Sequence, residues 1–323
     1  MSIAAVSREG AVLLGRSFAA DAHAPRPVRI VTHIHADHIV ELERSFREST
    51  LIVATDYTME LLEILERRVP EVKRVSMSYD KPLEILGERV TLLPARHIVG
   101  SAQVMVEGED YRVGYTSDFK MPGTPPMKGL DVLVIDATYG SPRLQRRWSD
   151  FEAMAALVGL VEEGLKRGPV EIYAYHGKIQ EIMAELRIRK VREPFVTDLK
   201  GYKMAKVAER FYEIDLEPLW TSSEEGSSFV SFLHAARFDE RRGRGTKILA
   251  TGWELRAPAV RVRDGVYRVG FSDHATFKDI MEYVKEAMPK RVIVDAYRGT
   301  DTKITAKYIE RVLGIPAESQ PEL

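Results

Sequence analysis

Apolar residues in the first 135 positions come mainly in short blocks. "AVLLG", "VRIVTH", "LIVAT", "VTLLPA", "AQVMVE", "YRVGYTS" and "VLVIDATYG" are rich in β-branched residues and bounded by Gly, Pro or Asp, which predicts strands split by turns. One stretch there has another period. In "DYTMELLEILERRV", residues 56–69, apolar positions recur at spacings of three and four, predicting an amphipathic helix between two strands. After "DATYGSP" the pattern becomes an alternation. "SDFEAMAALVGLVEEGLKRG" predicts a helix with Ser149 or Asp150 as N-cap and Gly168 as its stop. "VEIYAY", "PFVTD" and "KILATGW" then predict strands, separated by helices in "GKIQEIMAELRIRK" and "GYKMAKVAERFYE". Such alternation predicts a parallel α/β domain of about 110 to 120 residues. From about residue 265 the chain runs through "YRVGFSDHA", a helix in "TFKDIMEYVKEAMP", a strand in "RVIVDAY" and a last helix in "TKITAKYIERVLG".

Composition narrows the chemistry. At 323 residues and 45% hydrophobic content, the chain is long enough for two domains, or for one large domain carrying an insertion. It has no cysteine, which excludes disulfides, thiolate metal sites and cysteine nucleophiles, so a transition metal would sit on His, Asp and Glu. No uninterrupted apolar run is long enough to span a membrane, and Arg8, Glu9 and Arg16 stand where a signal peptide needs apolar residues. The expectation is a cytoplasmic protein without membrane contact. A net charge of -1 argues against binding nucleic acid by bulk charge alone, and leaves room for a local basic groove.

The densest chemistry lies in "VTHIHADHI", residues 31–39, which holds three of the chain's eight histidines. Side chains on a strand alternate with period two, so a strand running through "VTHIH" puts His33 and His35 on one side, within reach of one cation. Asp37 and His38 follow where the strand becomes a turn, and can face a second cation. Unpaired buried imidazoles and carboxylates are costly, which argues against an incidental polar turn.

The order H-x-H-x-D-H resembles the signature of the metallo-β-lactamase superfamily, and later landmarks follow in that superfamily's order. "PARHIVGSAQV" is similar to its third motif, implying His97 as a ligand, and "YTSDF" to its fourth, implying Asp118 as the carboxylate that bridges two metals. Asp21, in "AADAHAP", falls where the family keeps an aspartate supporting the ligand loop. The superfamily holds thiol-ester hydrolases, lactamases and nucleases, so the fold does not choose the substrate. Three features resemble its β-CASP nucleases: "VIDATYG", implying an acidic Asp136 near the metals; the α/β segment after it, similar to their inserted domain; and "GFSDHA", implying His274 as the last ligand of the second site.

The resemblance implies an α/β fold, a metallo-β-lactamase αββα sandwich with an inserted smaller parallel α/β domain. The sandwich would take residues 1–142 and 265–323, and the β-CASP domain residues 143–264. It implies two Zn²⁺ ions, with Mn²⁺ an alternative at an oxygen-richer second site. His33, His35, His97 and Asp118 would hold the first; Asp37, His38, Asp118 and His274 the second. Catalysis would fall to Asp37, Asp118, Asp136 and His274, with a hydroxide between metals about 3.5 to 4 Å apart attacking phosphorus in line. Asp136 is assigned to proton transfer or to orienting a ligand histidine.

RNA-processing members usually carry an extra histidine some way before the last motif; here "LATGWELRAPAVRVRDG" stands in that place. The "TGW" element and "YAYHGKIQE" look more like the DNA-directed branch, where a "YS-x-GK" turn opens a helix. His176 replaces the expected serine, and can be a catalytic acid, a phosphate contact or a capping residue; Gly177, Lys178 and the helix start can still attract a substrate phosphate. A second departure is "VDAYRG", where related enzymes often have a histidine-glycine pair. His23 and His234 lie in no such motif and read as structural or exposed. Two arginine-rich stretches, residues 237–247 and 254–268, can track phosphates or form a solvated surface. The resulting expectation is a nuclease acting on nucleic acid, with a DNA exonuclease working from a 5′ end favoured over the alternative, an RNA-processing β-CASP ribonuclease of the mRNA 3′-end-processing or 5′ exoribonuclease type. A small-molecule hydrolase and a non-catalytic nucleic-acid-binding subunit are the rivals. The last of these commonly loses ligands, and here each expected position is filled.

Overall fold

A computed structural model describes residues 2–220, 228–241 and 245–322. The chain divides into two units, Met1–Gln145 with His274–Leu323, and Arg146–Asp273. In the first unit β1 (Ala4–Val6), β2 (Val12–Leu14), β3 (Phe18–Ala20), β4 (Val28–Ile30), β5 (Leu51–Thr55) and β6 (Arg74–Met77) lie side by side in chain order. The pairing is antiparallel up to β3 and parallel from there on. A second sheet starts with β7 (Leu83–Ile85), β8 (Glu88–Pro94), β9 (Ala102–Glu107), β10 (Arg112–Tyr115) and β11 (Val132–Ile135).

The inserted unit holds β12 (Val170–Ala174), β13 (Phe195–Thr197), β14 (Pro218–Trp220), β15 (Val230–His234), β16 (Thr246–Ala250), β17 (Ala259–Arg263) and β18 (Val266–Val269). Their spatial order is β14-β13-β15-β12-β16-β18-β17, and only the β17–β18 hairpin pairs antiparallel. The chain then returns as β19 (Arg291–Asp295) and β20 (Ala317–Gln320), completing the second sheet of the first unit in the order β20-β19-β11-β10-β9-β8-β7.

Helices α1 (Leu42–Glu48) and α2 (Asp56–Ile64) belong to the first unit, α3 (Asp150–Leu165), α4 (Lys178–Ile188) and α5 (Leu199–Tyr212) to the inserted one, and α6 (Phe277–Ala287) and α7 (Thr302–Tyr308) to the returning segment. Alternation along β11 and β19 divides the first unit's interior. Val132, Val134 and Ile293 enter a core shared with the first sheet, while Leu133, Ile135, Val292 and Val294 enter a core with Ile280, Tyr283 and Val284 of α6 and Ala306 of α7. Since α2 packs on β5 and β6, the layers are helix, sheet, sheet, helix, which is the metallo-β-lactamase sandwich.

Three local differences from the sequence reading have physical causes. The helix in residues 56–69 stops at Ile64, because Glu66 takes a left-handed φ of 63° and Arg67 N turns back to Leu62 O. Residues 265–273 group with the insertion, not with the returning segment, because β18 adds to the inserted sheet beside β16. The ladder of β4 ends before the histidines: Val31 N still reaches Val53 O at 2.9 Å, but Thr32 N donates to the Asp21 carboxylate at 3.0 Å. His33 and His35 therefore lie outside the sheet.

Candidate metal centre

Five segments of the first unit deliver the cluster. The segment after β4 brings His33, His35, Asp37 and His38, the last two in a short 3-10 turn, Ala36–His38. The loop after β8 brings His97; its shape depends on Gly100, whose carbonyl accepts from the hydroxyls of Thr55 at 2.7 Å and Thr58 at 2.9 Å at the start of α2. Gly100 has a left-handed φ of 81°, and a Cβ there would lie 2.8 Å from Thr58 N, so a side chain is excluded twice over. Asp118 follows β10, Asp136 follows β11, and His274 precedes α6.

Asp118 stands at the centre. Its Oδ2 lies 3.5 Å from His33 Nε2, 3.3 Å from His38 Nε2, 3.4 Å from His97 Nε2 and 3.8 Å from His274 Nδ1. His97 Nε2 and His35 Nδ1 are 3.1 Å apart. His33, His35, His97 and Asp118 each offer a ligand atom within 4.8 Å of the other three, and Asp118, Asp136 and His274 form a second such group. His38 Nε2 is also 3.5 Å from Asp37 Oδ2. The expected first-site residues thus come together as one group. On the other side, Asp118 touches both His38 and His274, and Asp136 joins it at 3.6 Å from His274 Nδ1.

The residues behind the cluster fix its tautomers. Asp21 is fully buried, and its Oδ2 accepts from His38 Nδ1 at 2.7 Å. Its oxygens also accept from Thr32 N at 3.0 Å and Thr32 Oγ1 at 2.9 Å. With its proton committed to Asp21, Thr32 Oγ1 accepts from Ser117 Oγ at 2.6 Å and from His33 Nδ1 at 3.1 Å. Both rings therefore turn a lone pair on Nε2 toward Asp118. Those two Nε2 atoms are buried without a hydrogen-bond partner, which is unfavourable unless a cation takes them, and an all-nitrogen-and-oxygen donor set suits a divalent ion.

The electrostatics fit a cation as well. Burial raises the Asp118 carboxyl, but the charges of His38 and His274 outweigh it and hold it well below the usual range. Burial lowers His38, yet Asp118 and Asp21 push it up to about 10 when no metal competes for Nε2. Asp136 is raised by burial first and by Asp118 second. Its Oδ1 accepts from Thr138 N and Oγ1, both at 2.9 Å, and Thr138 Oγ1 is 3.1 Å from His274 Nδ1.

His176, Gly177 and Lys178 lie in the inserted unit, between β12 and α4. His176 is half-buried with its ring 4.9 Å from that of His234, Gly177 N donates to Gln180 Oε1 at 2.7 Å, and Lys178 Nζ forms a buried ion pair with Asp273 at 3.1 Å. The Lys178 ammonium, expected to attract a substrate phosphate, is thus engaged by Asp273. His234 Nδ1 accepts from Ala236 N at 3.2 Å, and His23 bridges Ser45 at 3.1 Å and Glu48 at 3.0 Å, so both have structural contacts. The stretch 237–247 falls partly on residues 242–244, outside the described residues. In 254–268, Arg256 pairs with Glu254, Arg261 with Asp264 and Arg268 with Glu240. Sequence reasoning missed Thr32, Ser117, Arg29 and Arg298, all in contact with the ligand segments. Only an arginine amid the apolar run "VRIV" signalled one of them.

Residues 14–167 match the beta-lactamase superfamily domain. An uncharacterised protein of Acidianus ambivalens, encoded 3′ of a lig gene, is 39% identical over 139 residues, covering 42% of this chain and 99% of that protein. The DNA cross-link repair protein SNM1 of Arabidopsis thaliana is 24% identical, covering 83% of this chain and 60% of its own length. The 5′ exonuclease Apollo of Mus musculus is 25% identical, covering 81% and 49%. The chain thus spans about half the length of these two longer relatives. A crystal structure of a protein of unknown function from Enterococcus faecalis shares the fold at a TM-score of 0.56 and 13% identity, over 83% of this chain and 74% of that one. Among the described residues, no helix is long and apolar enough to cross a membrane.

Proposed function

The chain belongs to the metallo-β-lactamase superfamily and, within it, to the β-CASP nucleases, and on that premise we propose that it is a metal-dependent nuclease hydrolysing phosphodiester bonds of nucleic acid. The observation that carries this reading is the ring of imidazoles around Asp118, with His33 Nε2 and His38 Nε2 buried and lacking hydrogen-bond partners. His33, His35, His97 and Asp118 would hold one cation, and Asp37, His38, Asp118 and His274 another, Zn²⁺ or Mn²⁺. Such a pair supplies an activated water and neutralises charge on the phosphoryl oxygens. Asp118 faces both ligand sets through one carboxylate. Asp136, tied to Thr138 and 3.6 Å from His274, orients that imidazole. His176 and Gly177 are assigned to contact with substrate phosphate, while Lys178 holds Asp273.

DNA with a 5′ end is the favoured substrate. SNM1, named for DNA cross-link repair, and Apollo, named as a 5′ exonuclease, each match more than four-fifths of this chain. The experiment is a cleavage assay on end-labelled single-stranded DNA, double-stranded DNA and RNA, with and without chelator. Metal-dependent shortening of DNA from the 5′ end is expected. A protein that binds no transition metal, or an Asp118→Ala variant with full activity, would overturn the nuclease reading. Preferential cutting of RNA would overturn the substrate assignment alone.

A further inference from the structure

Beneath the turn that carries Asp37 and His38 lie two buried arginines from distant parts of the chain. Arg298, three residues past β19, donates to the Asp37 carbonyl from Nε at 3.2 Å and Nη2 at 2.8 Å, and its Nη1 donates to Asp295 Oδ2 at 2.9 Å. The Arg298 side chain is 3% exposed and that of Asp295 0%. Asp295 is held in turn by Tyr297 N, which donates to Oδ1 at 2.9 Å. Arg29, in β4, is also fully buried, and its Nη2 donates to the next carbonyl, that of His38, at 3.1 Å. Its Nε and Nη1 have no hydrogen-bond partner, so the bond to His38 is the polar contact that this costly burial achieves. The turn itself has no side-chain cap at His35, and the Asp37 side chain is 56% exposed. Besides the two guanidinium groups, the turn is held by Asp21 on the His38 ring at 2.7 Å and by His38 N, which donates to His35 O at 2.9 Å.

We propose that Arg29 and Arg298 are positioning residues that clamp the consecutive carbonyls of Asp37 and His38 and so set the affinity for the second cation, without touching it. This rests on the metal-centre reading above. The planar fork suits the task, since one guanidinium can serve the Asp37 carbonyl and Asp295 together, which a lysine ammonium on a flexible stem cannot do with the same rigidity. The Arg-Gly in "VDAYRG" thereby gains a role that its departure from the related pattern left open.

The test is a cobalt(II) titration of the metal-free protein followed by visible absorption, on wild type, Arg298→Met, Arg298→Lys and Asp295→Asn, with thermal melts to confirm folding. In the wild type two equivalents are taken up. In Arg298→Met the first equivalent keeps its affinity and the second weakens about 10- to 100-fold, the range seen when outer partners of ligands are removed. Arg298→Lys does not restore it, and Asp295→Asn shows a smaller loss in the same step. A general structural weakening would lower the melting temperature without singling out the second equivalent. If folded variants bind both equivalents as the wild type does, the clamp is wrong and the metal centre stands; should Arg298→Met not fold, Arg298→Lys and Asp295→Asn decide the same point. If the wild type takes up no cobalt, the metal-centre reading fails and the clamp with it.

Discussion

Thr32 shows how much a small side chain can decide. Its hydroxyl donates to Asp21 and accepts from Ser117 and His33, while its backbone N–H leaves the strand ladder for the same carboxylate. The end of β4 and the tautomer of His33 thus have one cause, which is Asp21. Replacing Asp21 by Asn keeps the volume but removes the charge that His38 Nδ1–H and Thr32 bind. Metal affinity is expected to fall about 10- to 100-fold, measured by competition with a chromophoric chelator. Affinity equal to wild type would show that Asp21 does not fix His38. Asp21 was legible in the sequence as a motif position, and so were His33, His35, Asp37 and His38. Arg298 was not, because nothing local marks a residue whose partner lies 261 positions earlier.

Strands β11 and β19 and helix α6 carry the layering of the first unit. Strand β11 is apolar throughout and β19 is apolar over residues 292–294, because each face has a core to fill. Helix α6 answers with Phe277, Ile280, Tyr283, Val284 and Ala287 on one face, and its start is set by a capping box between Thr276 and Asp279. Ile280 is completely buried there; Ile280→Ala should cost about 2 to 5 kcal/mol and Ile280→Val about 0.5 to 1.5 kcal/mol, read from denaturant unfolding of the two variants. Equal stabilities of the two would contradict the tight packing described. Elements with a clear period and cap were legible: of the two candidates Ser149 and Asp150, Ser149 caps α3, with Glu152 completing a capping box. The strands β14, β15 and β17 were not, since Pro218–Trp220 is only three residues long, Val230–His234 mixes apolar and polar residues, and Ala259–Arg263 is arginine-rich. What makes them strands is the neighbour each pairs with.

At the scale of the molecule, the metal centre links segments that enter from both ends of the first unit. A ligand that binds only the folded state stabilises it by mass action, about 2.7 kcal/mol at a hundred times its dissociation constant. Chelation is therefore expected to lower the melting temperature of the wild type, with recovery on adding Zn²⁺ or Mn²⁺, whereas Asp118→Asn should melt alike with and without chelator. A differential scanning experiment in which chelator shifts neither protein would count against a bound metal. The sequence by itself determined the donor types, since a chain without cysteine can offer only imidazole and carboxylate, and it placed four of those donors within six positions. Period and turn chemistry, which act over a few residues, likewise marked most helices and strands. Only the tertiary structure decided that Asp118 is the common neighbour of four imidazoles, where the insertion ends, and which buried arginines grip the ligand turn. Those are contacts between residues far apart in the chain, and their partners are chosen by packing, which leaves no local pattern to read.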